Sequence, residues 1–125
     1  MEEKQKVLWR KEAAEKNIHN AEEFLRLTFS KSDADEAAKK FKEHKDRIEF
    51  FKAKDILRSS GHELLPDTDP EVKEKLERIK NKIELNPILL VRDKHTLYIA
   101  DGYHRVCASY HIDEAADVAS ILIHV

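Results

Sequence analysis

The chain is poor in the residues that punctuate or cross-link small proteins: one cysteine, two glycines and three prolines in 125 residues. A lone Cys107 excludes an intramolecular disulfide framework, so stability has to come from packing, and a reducing compartment is the simpler setting. With no Gly or Pro before Gly61, the first 60 residues lack the strongest breakers of regular structure. Charge of one sign is lacking too. The 23 Lys and Arg stand against 25 Asp and Glu, a formal net charge of -2, which removes any global attraction to nucleic acid. No apolar run reaches the roughly 18 residues that a membrane span needs, and no apolar signal core follows the charged N-terminus. The expectation is a cytoplasmic protein with no membrane partner.

Hydrophobic residues make up 41% and charged residues 38%, enough for one core under a densely charged surface. The length fits one domain of about 100–150 residues with an appendage. From Glu2 to about Phe29, Ala14, Ile18, Ala21, Leu25 and Phe29 recur at spacings of three and four, which predicts an amphipathic helix. A break at Ser30–Asp33 follows, with Asp33 and Glu36 reading as N-cap and capping-box partner of a second helix to about Lys45. These helices form an arm over 1–46. Its apolar stripe either docks a second copy or a partner, or folds back on the chain's own sheet; uncovered, such a helix is marginal, which favours folding back.

The segment Arg47–Lys52 is rich in aromatic and β-branched residues and reads as a first strand, with a tight turn at Asp55–Leu57. Ser59 to Pro70 is a loop. Asp69 and Pro70 make an N-cap and first helical residue, and Val72, Leu76, Ile79 and Ile83 carry a helix over about 70–84. Ile88–Val91 suits a doubly buried strand that turns at Asp93–Thr96 into Leu97–Ala100. A short helix at 105–110 and a strand at 117–123 complete the order ααβαββαβ. The fold class is α/β (α+β), a small mixed sheet preceded by two helices.

The chemistry concentrates in Asp101-Gly102-Tyr103-His104-Arg105, a strand end passing directly into a helix. The first N–H groups of a helix have no partner within it, and an anion satisfies them well. Gly102 permits close approach and a positive φ, and Arg105 offers a charged fork for a phosphate. His104 can exchange a proton near neutral pH. Asp101 is a candidate to orient it, to contact substrate or metal, or simply to cap the helix. Asp101 and His104 are thus the catalytic candidates, and Gly102, Tyr103, His104 and Arg105 the nucleotide-binding ones. Tyr103 either stacks on a base or packs against the fold, and Cys107 reads as core. Glu63, Asp67 and Asp69 are candidate Mg²⁺ contacts or plain turn formers. The histidines have no paired spacing for zinc.

The runs Asn86–Val91, Leu97–Ala108 and Val118–Leu122, in this order, resemble the ParB/sulfiredoxin superfamily over about residues 47–125. The resemblance implies a small α/β domain whose glycine-containing turn binds nucleotide phosphates: ATP, ADP or CTP, with Mg²⁺. The superfamily includes a free-serine kinase, so phosphoryl transfer or nucleotide hydrolysis is one implied activity, and whether this chain is an enzyme stays open. Tyr103 stands where sulfiredoxins carry their catalytic cysteine, which disfavours sulfinic-acid reduction. No helix-turn-helix segment follows the last strand, so sequence-specific DNA binding of the ParB type is not expected. The alternatives are a non-enzymatic interaction module, or a homo-oligomer, working through the N-terminal helices, and a ParB-like DNA-associated protein.

Overall fold

A computed structural model describes residues 5–125. It is a mixed α+β structure of five helices and four strands: α1 (Glu15–Thr28), α2 (Lys31–Glu43), β1 (Glu49–Lys52), α3 (Ala53–Ser60), α4 (Pro70–Lys80), β2 (Ile88–Asp93), β3 (Thr96–Asp101), α5 (Tyr103–Ile112) and β4 (Asp117–His124). The sheet order is β1-β4-β2-β3, with β2 and β4 parallel and the two outer pairs antiparallel. The inner strands, β2 and β4, carry near-continuous buried runs, as strands covered on both faces must.

Successive strand residues point to opposite faces, and each face has its own core. Leu89, Val91, Ala100, Ile121 and Ile123 meet Ile18, Ala21 and Leu25 of α1 and Ala34, Ala37 and Phe41 of α2. Ile88, Leu90, Ile99 and Val118 meet Ile56 and Leu57 of α3, Val72 and Ile79 of α4, and Val106 and Cys107 of α5. The stripe on α1 and α2 is therefore buried against the chain's own sheet, the folding-back alternative. No helix among the described residues is long and apolar enough to cross a membrane.

Several boundaries differ from the sequence expectation. The first helix starts at Glu15, not near Glu2; the part of that expectation on residues 1–4 lies outside the described residues. Residues 5–14 are not helical: Trp9 forms a β-bridge with Leu85, Arg10 N–H donating to Leu85 O and Leu85 N–H to Leu8 O. The second helix is capped by Ser30, whose Oγ accepts from Asp33 N–H, so Asp33 lies inside the first turn instead of at the cap.

The expected tight turn at Asp55–Leu57 is the middle of α3, because Ala53, Ile56 and Leu57 at helical spacing all bury. That helix ends at Gly61 in the left-handed region (φ 72°). Asp69 caps α4 as expected, its carboxylate accepting from Glu71 and Val72 N–H at 3.1 Å. The helix stops at Lys80 and not near 84. Lys82 adopts a φ of 58°, its N–H donating to Ile79 O and Ile83 N–H to Arg78 O, a Schellman closure that leaves Ile83 half exposed.

Phe41 is fully buried between α2 and the sheet. Phe41→Ala is expected to cost about 3–5 kcal/mol in urea unfolding. Removing residues 1–46 strips the cover from Leu89, Val91, Ile121 and Ile123, so the remaining chain is expected to aggregate or lose its cooperative transition, read by size exclusion and circular dichroism.

Candidate functional site

A bulge between β2 and β3 prepares the turn. Leu89 pairs with Asp101 but Leu90 with Ile99, so Ala100 is the extra residue. Two consecutive residues thereby face α1: Ala100 packs in its core and Asp101 accepts from Asn17 Nδ2 at 2.8 Å. The N-cap of α5 is Gly102, not Asp101, and no side chain caps this helix. Gly102 has φ 111°, and a Cβ there would come within 2.5 Å of Ile88 Cγ2 and 2.9 Å of Arg105 Nη2. Glycine is thus required by the protein's own packing.

Arg105 is only 6% exposed. Its Nη2 donates to Asp101 Oδ2 at 2.7 Å, and its Nη1 to the carbonyls of Asn86 at 2.5 Å and Pro87 at 3.2 Å. Burial pushes the guanidinium down from its usual range and Asp101 pushes it back up. A guanidinium in water titrates so high that it keeps its charge. The network continues from Asp101 to Asn17 and from Asn17 Oδ1 to Asn86 Nδ2 at 3.0 Å. Four residues from α1, the segment before β2, the end of β3 and α5 are tied in one chain of bonds.

Above this network lies a polar cleft of about 340 Å³. Lys16, Asn17 and Asn20 of α1 form one wall, and Glu71, Lys75 and Arg78 of α4 the other. Gly102, His104 and Arg105 form its floor beside the start of α5. His104 Nδ1 lies 2.9 Å from Glu71 Oε2, so when the neutral ring donates there, Nε2 is the acceptor; protonated, both nitrogens donate. Glu74 pairs with both Lys75 and Arg78 at 2.6 Å, and the hydrogen bond and charge of Lys75, with Arg78, outweigh desolvation and hold its carboxyl below the usual range. Lys16 forms no ion pair among the described residues.

The turn residues part company here. Asp101, Gly102, His104 and Arg105 line the cleft; Tyr103 does not. Its hydroxyl donates to Glu63 O and its ring lies 4.8 Å from that of His62, where desolvation raises its pKa. Tyr103 therefore pins the loop before α4. Cys107 is fully buried and its thiol pKa is raised by desolvation, which makes it a core residue. Among the loop acids, Asp69 is occupied as a cap, and no group of three or more His, Cys, Asp and Glu among the described residues is placed to hold a metal ion.

Lys16, Asn17, Asn20, Lys75, Arg78 and Asn86 were not singled out by the sequence. Asn17 alone left a trace: a polar residue beside Ile18, three positions after Ala14, on the buried stripe of α1. Comparisons with protein-family models, curated proteins and solved structures return no match.

Removing the Arg105 guanidinium would leave the partly buried Asp101 without its ion-pair partner and the Asn86 and Pro87 carbonyls without their donor. Arg105→Met is expected to cost about 3–5 kcal/mol in urea unfolding, and Gly102→Ala roughly 1–3 kcal/mol from overpacking against Ile88. Unchanged unfolding midpoints for both variants would contradict this account of the turn.

Proposed function

We propose that this chain is a ParB/sulfiredoxin-like domain that binds a phosphate-bearing small molecule, a nucleotide such as ATP, ADP or CTP, in the cleft at the start of α5. The observation that carries the reading is the convergence of Lys16, Lys75, Arg78 and His104 on a cleft whose floor is an uncapped helix N-terminus. Amide donors at a helix start favour an anion, and the three cations add Coulomb attraction from two further helices.

The division of labour differs from the one the sequence suggested. Arg105 acts from below, fixing the turn through Asp101 and two carbonyls, while Lys16, Arg78 and His104 are the groups offered to a phosphate. Asn20, on the same wall as Lys16, is a candidate to read the ligand's hydroxyl or base.

Magnesium fits poorly. The two carboxylates in the cleft are engaged, Glu71 by His104 and Asp101 by Arg105 and Asn17, which leaves neither free to hold the ion. The His104–Glu71 pair is a candidate to hold or accept a proton at Nε2 beside the ligand. The reading is one of binding.

Differential scanning fluorimetry with ATP, ADP, CTP and pyrophosphate tests it. A ligand at one hundred times its dissociation constant is expected to add about 2.7 kcal/mol of stability. Lys16→Ala and Arg78→Ala are each expected to weaken that ligand about tenfold, the size of one lost charged hydrogen bond, while leaving the unliganded midpoint unchanged. No stabilisation by any of the four compounds defeats the reading.

A further inference from the structure

At the opposite end of the β2–β3 hairpin from the 101–105 turn, a second cleft of about 410 Å³ opens between α3 and the sheet. Its volume lies within the range of about 300–1,000 Å³ typical of small-molecule sites. The floor and walls are apolar: Leu90, Leu97 and Leu122 from three adjacent strands, with Phe51 and Ile56 beside them. Leu97, Leu122 and Phe51 stay half-buried because α3 is only eight residues long.

The rim has one sign of charge left over. Arg92 follows Leu90 by two residues and so rises from the same sheet face, and Lys94 and His95 stand in the adjoining turn. The acid on this rim, Asp55, is 2.9 Å from Arg58. Among the described residues, Arg92 and Lys94 form no ion pair.

We propose that this cleft binds a small monocarboxylate with an unbranched apolar tail, the tail lying on the leucine floor and the carboxylate meeting Arg92. An apolar trough with a cation at one end matches an amphiphilic acid, and the planar guanidinium fits a carboxylate with two parallel bonds. A second copy of the chain is a poor occupant. A two-fold contact sets the same patch against itself and would bring two sets of Arg92 and Lys94 into one interface without adding a carboxylate of the cleft that is not already paired. The site is separate from the cleft beside α5, and its test does not depend on that reading.

Titrating the ¹⁵N-labelled full chain with octanoate, and separately with 1-octanol and acetate, decides the matter. Octanoate is expected to shift the amides of residues 90–97 and 122 saturably while those of 101–105 stay in place. Octanol, without the charge, and acetate, without the tail, are each expected to bind about tenfold more weakly or worse. Arg92→Gln is expected to weaken octanoate about tenfold with no change in the urea midpoint, since Arg92 is exposed. Equal affinity for octanoate and octanol, an unaltered affinity in Arg92→Gln, or no saturable shift at 90–97 overturns the proposal. So does self-association that covers these amides, which would assign the cleft to a second copy.

Discussion

The buried guanidinium of Arg105 is the constraint around which the rest is arranged. A positive charge out of water is costly, and here it is matched by one carboxylate and two carbonyls at 2.5–3.2 Å. Those partners come from different places in the chain: Asp101 at the end of β3, and Asn86 and Pro87 entering β2. Asn17 then bonds both Asp101 and Asn86, which brings α1 into the same network. Each bond holds a segment in place. Together they set the path of the 101–105 turn, and with it the direction of the α5 N-terminus.

That arrangement leaves the exposed polar and charged groups of the cleft to other residues. A glycine whose missing Cβ makes room for Ile88 and Arg105 serves the fold first. An arginine saturated by protein groups has little left to offer a phosphate. The residues around the mouth of the cleft, Lys16, Lys75, Arg78 and His104, come from three helices that meet only in the folded chain. Glu74 holds two of them in place without entering the cleft. The first helix is therefore tied to the candidate site as closely as to the core, since α1 supplies one wall and, with α2, covers one sheet face.

The two ends of the β2–β3 hairpin differ in character. At the Asp101 end the bulge turns two residues toward α1 and a polar network fills the space. At the Thr96 end the strands continue in register, α3 is short, and leucines remain half-covered below exposed cations. One end is rich in polar groups bonded to one another. The other joins apolar surface to unpaired charge, and such surface acquires a cover when a matching molecule is present.

Local periodicity was enough to read the mixed α+β class, the buried β2, the hairpin into β3, the Asp69–Pro70 start of α4 and the final strand, because alternation and three-four spacing follow from backbone geometry alone. It misread α3 as a turn, since an eight-residue helix shows barely two turns of pattern. It also ran α4 on to about residue 84, since nothing local marks Lys82 for a left-handed conformation. The 101–105 string was visible as a place where a strand meets a helix start, and packing of Tyr103 against the fold was one of its two readings, while the inward course of Arg105 and the bond from Tyr103 to Glu63 O were not legible. Those depend on a bulge at Ala100 and on bonds that span 19 to 84 residues of sequence, to Asn86, Glu63 and Asn17. By itself the sequence determined the mixed α+β class, most of the helices and strands, and the place where the end of β3 passes into α5 through Gly102. Only the tertiary structure decided which side chains that turn keeps for itself, because a buried charge takes whatever partners packing brings within reach.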